Sequence, residues 1–264
     1  MRPGVRWPRP AVVITFVLCS VAQPVLRAQG SQSPQTATIE EPAPPSLLQP
    51  FLDSLADLRR LPSWNNAMWL GTGLGFAAAS HPADRTVSRE FAATRTQTFK
   101  PGAILGGTPL ELGTSFAMYA IGRATNNPRV MRLGSDLIRA QLVAEVVTFG
   151  LKQSVRRSRP DGDAFSFPSG HTAVTFASAS MLHRHFGWKT GLAAYAVASY
   201  VAASRVQMKR HYLSDVAFGA AIGLVAGRTV TLGKLGVTPS AMPRGAGITF
   251  TWLGDARHRG LRPK

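Results

Sequence analysis

Residues 165–185 read FSFPSGHTAVTFASASMLHRH. A Pro-Ser-Gly turn runs directly into a long stretch of Ala, Ser, Val, Phe and Met that ends on His183, Arg184 and His185. Such a run is too long and too unpatterned for a short alternating strand. Working outward, five further stretches share this character: Ala67 to Ala79, Ala103 to Gly122, Val130 to Leu151, Trp188 to Ser204 and Leu213 to Val230. Pro82, Pro101, the Asn126-Asn127-Pro128 turn, Arg159-Pro160, Gly187 and the polar segment Arg205 to Arg210 separate them. The fold class expected is all-α: a six-helix bundle, preceded by a short helix at Phe51 to Arg60. Gly245 to Leu253 alternates like a terminal strand, and no internal repeat is present.

The chain has 264 residues, 45% of them hydrophobic and 16% charged. That length allows one or at most two domains with an ample core, and the apolar content excludes wholesale disorder. The only cysteine is Cys19, so disulfide frameworks, thiolate zinc sites and thiol nucleophiles are excluded. A net charge of +17 points to an anionic partner without choosing among nucleic acid, acidic lipid and phosphate esters. Arg2, Arg6 and Arg9 precede the apolar run Ala11 to Ala22, and small residues follow at Ala22 and Ala28. This is the layout of a secretory signal peptide, with an uncleaved anchor helix as the alternative. The domain reading is therefore 1–28 signal or anchor, 29–50 disordered linker rich in Ser, Thr, Gln and Pro, 51–235 helical domain, and 236–264 C-terminal tail.

Three clusters carry chemistry. Lys152 is followed by Arg159-Pro160 in a strongly basic run, which alone reads equally as a solvated face. Ser169, Gly170 and His171 open an apolar helix, where backbone N–H groups favour an anion and a histidine is an unusual choice. Ser204-Arg205, His211 and Asp215 form the third cluster; the four-residue spacing of the last two suggests one helical face, with the carboxylate orienting the imidazole. In an up-and-down bundle all three junctions fall at the same end. Two histidines, three cations and a helix N-terminus would then converge on one oxyanion pocket.

Lys152-x6-Arg159-Pro160, Pro168-Ser169-Gly170-His171 and Ser204-Arg205-x5-His211-x3-Asp215 resemble the three-part signature of the type-2 phosphatidic acid phosphatase and vanadium haloperoxidase superfamily, with every position present in order. The resemblance implies a metal-independent phosphatase that works through a phosphohistidine intermediate. His211 would attack phosphorus, Asp215 would orient and stabilise it, and His171 would protonate the leaving oxygen. Lys152, Arg159, Ser169, Gly170 and Arg205 would hold the phosphate oxygens. No metal or other cofactor is implied, although vanadate could bind as a phosphate mimic, and a rate optimum on the acidic to neutral side follows if His171 starts protonated.

By the same resemblance the substrate is a lipid phosphate, an isoprenoid diphosphate or a small phosphomonoester. A soluble exported acid phosphatase of broad specificity and a vanadium-dependent haloperoxidase are the rival readings, and no nucleic-acid partner is expected. Phe165, Phe167 and Trp188 would either line an apolar entrance or belong to the core. Arg132, Asp136, Arg139 and Glu145 lie inside the stretch Val130 to Leu151, and each central charge costs roughly 2.5–3.5 kcal/mol on membrane insertion. A membrane-associated, exported protein of the periplasm or cell envelope is the expected setting.

Overall fold

The computed structural model describes residues 45–94 and 97–232, together with the backbone of two strands, Leu235–Met242 and Gly245–Trp252. The expected signal segment and the basic tail from His258 lie outside the described residues. Among those described are nine α-helices: α1 Gln49–Leu58, α2 Trp64–Ser80, α3 Asp84–Ala93, α4 Lys100–Leu105, α5 Thr108–Ala124, α6 Pro128–Val155, α7 Gly170–Phe186, α8 Trp188–Gln207 and α9 Leu213–Thr229. The class is all-α as expected, and the count of six is corrected in two places. The stretch Ala103 to Gly122 is split into α4 and α5, because Gly106 and Gly107 end one helix and Pro109 sits in the first turn of the next, where its missing N–H is harmless. Helix α3 went unread because its sequence, DRTVSREFAA, is mostly polar.

Local signals set the helix starts. Ser63 caps α2 by accepting from the Asn66 N–H at 3.2 Å, and Asn127 caps α6 through the N–H groups of Arg129 and Val130, with Pro128 at its first position. Residues 45–50, at the end of the stretch read as a linker, are tied down. Tyr119 Oη donates to the Ser46 carbonyl at 2.8 Å, Arg123 Nε donates to that of Pro45 at 2.9 Å, and α1 begins at Gln49.

Helices α7 and α9 form the centre, with α2, α6 and α8 around them. Gly219, Gly223 and Gly227 run down one stripe of α9, and a Cβ at any of them would strike α7 or the loop leading into it. The two helices therefore approach closely, as small-residue stripes permit. Two of the charges inside α6 are paired: Arg139 Nη1 lies 3.0 Å from Asp136 Oδ1, Arg139 Nη2 lies 2.6 Å from Asp57 Oδ2 on α1, and Asp136 Oδ2 lies 2.9 Å from His185 Nε2 on α7. No described helix is long and apolar enough to cross a membrane.

The strands, β1 Leu235–Met242 and β2 Gly245–Trp252, form an antiparallel hairpin in which Val237 pairs with Phe250. The alternating segment at Gly245 corresponds to β2. Its partner β1 went unread, because Pro239 interrupts it.

Candidate active site

All three sequence clusters lie at one end of the helical domain. Lys152 is in the last turn of α6, Ser169 is the N-cap of α7 with Gly170 and His171 in its first turn, Arg205 is in the last turn of α8, and His211 and Asp215 flank the start of α9. Arg159 lies in the loop between α6 and α7. This loop leaves α6 at Arg156, which has φ +49°, closes on itself where the Ser166 N–H donates to Arg157 O at 2.7 Å, and meets the third cluster where the Ser169 N–H donates to Asp215 O at 3.0 Å. Phe167 stacks on Phe218 of α9 at 5.2 Å between centroids, so this ring belongs to the packing under the loop. Trp188, another of the aromatics weighed as an entrance, sits at the opposite end of the bundle at the start of α8.

His211 is 2% exposed. It precedes α9, so the four-residue spacing to Asp215 does not place the pair on one helical face. Its Nδ1 lies 2.6 Å from the Ser166 carbonyl, which selects the Nδ1–H tautomer, and Asp215 Oδ2 lies 3.8 Å away. The carbonyl orients the ring and the carboxylate acts on it at slightly longer range. Nε2 is left with its lone pair available, without a partner among the described residues. Burial pushes His211 down to about 4, against the opposing pull of Asp215 and with the help of Lys152 and Arg205. It is therefore a neutral imidazole at neutral pH, as a nucleophile must be.

Asp215 is fully buried and saturated with donors. Oδ2 accepts from Ser166 Oγ and from the Tyr212 N–H at 2.8 Å, and Oδ1 accepts from Arg157 Nη1 at 2.8 Å. Burial alone would raise its pKa, but the hydrogen bonds and Arg157 outweigh burial and hold it below the usual carboxylate value. Arg157 also reaches Ser214 Oγ at 2.7 Å and Asp84 Oδ2 at 2.7 Å, with its guanidinium 4.3 Å above the Tyr212 ring. Asp84, at the start of α3, in turn accepts from the Ser214 N–H at 2.9 Å. Sequence reasoning missed Asp84, Arg157 and Ser166. Arg157 stands in the basic run that was singled out; Asp84 and Ser166 carry no spacing that marks them.

Lys152, Arg159 and Arg205 are close enough to act on one another electrostatically. Burial, with Arg159 next, lowers Lys152 to about 8, and burial, with Arg210 and Arg159, lowers Arg205 to about 10. Lys152 Nζ donates to the Phe165 carbonyl at 2.6 Å. Arg159 Nε and Arg205 Nε are buried donors with no acceptor among the described residues. Buried donors without acceptors are expensive in an apolar setting, and two on neighbouring guanidiniums mark a place suited to an oxyanion. Burial, Arg205 and His211 together bring His171 down to about 4, against a backbone hydrogen bond to Ala103 of α4. A phosphate dianion among these cations would act in the opposite direction and favour the imidazolium. Ser169 Oγ accepts from Thr172 Oγ1 at 3.0 Å, which leaves its own proton free to donate. Among the described residues no group of three His, Cys, Asp or Glu side chains is placed to share a metal ion.

The all-α bundle thus gathers two histidines, an ionised aspartate and three cations at a helix N-terminus, a set of groups suited to an oxyanion. Residues 134–235 match the model of the PAP2 superfamily. The chain is 43% identical over 99 residues to the lipid A 1-phosphatase of Porphyromonas gingivalis, an alignment covering 36% of this chain and 22% of that protein. It is 37% identical over 99 residues to the decaprenylphosphoryl-5-phosphoribose phosphatase of Mycobacterium tuberculosis, covering 33% and 54% respectively. The chain thus spans about a fifth to about half of the lengths of these curated relatives. Among solved structures, its fold is similar to that of the transmembrane PAP2-type phosphatidylglycerolphosphate phosphatase of Bacillus subtilis, with a TM-score of 0.50, 20% identity, and coverage of 69% of this chain and 92% of that one.

Proposed function

We propose that this protein is a metal-independent phosphatase that hydrolyses the phosphate ester of a lipid or isoprenoid through a phosphohistidine intermediate. The observation that carries this reading is the pair of unsatisfied buried donors, Arg159 Nε and Arg205 Nε, beside the free Nε2 side of a neutral His211. In the first step His211 Nε2 forms the N–P bond as the bond from phosphorus to the leaving oxygen breaks. The electron pair departs with that oxygen, which takes the proton of His171. Lys152, Arg159, Arg205, Ser169 Oγ and the Gly170 N–H bind the three equatorial oxygens, where charge accumulates. Asp215, kept ionised by Arg157, stabilises the imidazolium side of the intermediate. In the second step His171 takes a proton from water, which attacks phosphorus and releases phosphate and neutral His211.

Two features favour an apolar alcohol. The relatives named above act on phosphorylated lipids, as their names state. Ile104, 69% exposed, lies on α4, whose C-cap Gly106 packs against His171, so apolar surface borders the leaving-group side. Exposed apolar residues on α2, α5, α6 and α8 support membrane association, and the N-terminal segment supports export to the periplasm or cell envelope.

The test is phosphate release from phosphatidic acid in mixed micelles, with p-nitrophenyl phosphate as the soluble comparison and EDTA in parallel. The reading expects release from the lipid that EDTA leaves unchanged. Loss of activity in EDTA that magnesium restores contradicts it.

A further inference from the structure

A cleft of about 700 Å³ in the helical domain lies at the end opposite His171 and His211. His183 at its edge follows His171 by twelve residues of α7, about 18 Å of helix. Its charge is one-sided: Arg184 and Arg228 line it and no carboxylate does. Arg184 is anchored, with Nη1 donating to the Gly227 and Val230 carbonyls at 2.5 and 2.7 Å, and burial holds its pKa below the usual arginine value, with Arg228 lowering it further. Arg228 forms no ion pair among the described residues and lies 4.9 Å above the ring of Trp69. Trp69, Tyr195 and Leu224 supply an apolar wall beside the two guanidiniums.

The surroundings of the cleft match this mixture. Three tryptophans of the helices sit at this end: Trp64, 81% exposed, and Trp69 in the first two turns of α2, and Trp188, 67% exposed, at the start of α8. Lys189 lies 5.9 Å from the Trp188 ring. Exposed tryptophans interleaved with lysine and arginine are the composition of a surface that meets the headgroup layer of an anionic membrane.

We propose that this cleft is a second lipid site, which binds the phosphate of an anionic phospholipid between Arg184 and Arg228 and its glycerol and first acyl carbons against Trp69, Tyr195 and Leu224. The site is separate from the catalytic one and does no chemistry. It holds the end of the bundle carrying Trp64 and Trp188 at the headgroup layer.

The test uses the full chain in dodecylmaltoside micelles doped with brominated phosphatidylglycerol or brominated phosphatidylcholine, reading quenching of tryptophan fluorescence. Phosphatidylglycerol carries a phosphodiester, so a monoesterase site does not consume it. The wild-type protein should be quenched at a lower mole fraction by the anionic lipid than by the neutral one. Arg228→Gln should narrow that preference by roughly fivefold, the effect of one cation near an anionic surface, with p-nitrophenyl phosphate hydrolysis unchanged. Trp69→Leu should remove the part of the quenching that is selective for the anionic lipid. Equal quenching by the two lipids, or an Arg228→Gln variant that keeps the full preference, overturns the proposal. So does inorganic phosphate that abolishes the preference at millimolar concentration, since the cleft would then be a soluble-anion site.

Discussion

Arg157 donates from Nη1 to Asp215 Oδ1 at 2.8 Å, which places a guanidinium behind the carboxylate that faces His211. Through its other nitrogen the same guanidinium holds Asp84 at 2.7 Å, so the start of α3 is joined to the start of α9. Arg157→Met leaves two buried carboxylates without their shared cation and should cost about 3 kcal/mol in urea unfolding. Arg157→Lys keeps the charge but loses the fork. It should fold and turn over more slowly, with the acid limb of kcat/KM moved to higher pH, because Asp215 is then held less firmly in its ionised form. An unchanged pH profile in a folded Arg157→Lys protein would show that the pair only supports the fold.

Both histidines stand at about 4, below the ordinary histidine value of 6.5. The unfolded chain therefore binds more protons than the folded one between those values, and stability must fall as pH drops from 6.5 toward 4, by up to roughly 3 kcal/mol per histidine. An oxyanion in the site favours the imidazolium of His171, so binding takes up a proton. Sulfate, whose charge is constant over this range, should raise the melting temperature more at pH 5 than at pH 7. Equal stabilisation at both pH values would dissociate His171 from the anion.

The acid role proposed for His171 has a leaving-group signature. Removing a general acid costs about 10²- to 10⁴-fold when the departing oxygen needs the proton. His171→Gln should lose that much kcat on an alkyl or lipid phosphate, whereas phosphoryl transfer from p-nitrophenyl phosphate, whose phenolate departs unaided, should fall far less in the pre-steady-state burst. Equal losses on both esters would point to a binding role alone.

Gly219 of α9 backs the phosphate loop: a Cβ there would lie 2.6 Å from the Ser169 carbonyl. Gly219→Ala should destabilise by about 1–3 kcal/mol through overpacking. It should also raise the Ki of inorganic phosphate, because relief of the contact displaces Ser169 and the Gly170 N–H together. A normal Ki in a destabilised protein would confine the effect to packing.

The signature positions were legible in the sequence because the chemistry demands particular side chains at fixed separations, and the turns that carry them are marked by Pro160, Pro168 and Gly170. The helices were legible where apolar runs were long, as at α6 through α9. Helix α3 was hidden because its 10 residues are mostly polar and pack through Asp84 and Ser88 rather than an apolar stripe. The break between α4 and α5 was marked by Gly106, Gly107 and Pro109, but those residues stand inside an apolar run that looked continuous. The partner of His211 was not legible at all. It is the main-chain oxygen of Ser166, 45 residues away, and a carbonyl leaves no trace in residue type.

The most direct test of the central claim is acid- or base-quench trapping of the enzyme with ³²P-labelled phosphatidic acid, followed by peptide mapping. Label that is stable in alkali, labile in acid and located on the peptide containing His211, absent from His211→Gln and prolonged in His171→Gln, is the result expected. Turnover by the wild-type protein with no labelled enzyme under single-turnover conditions, or label retained in His211→Gln, would contradict the account.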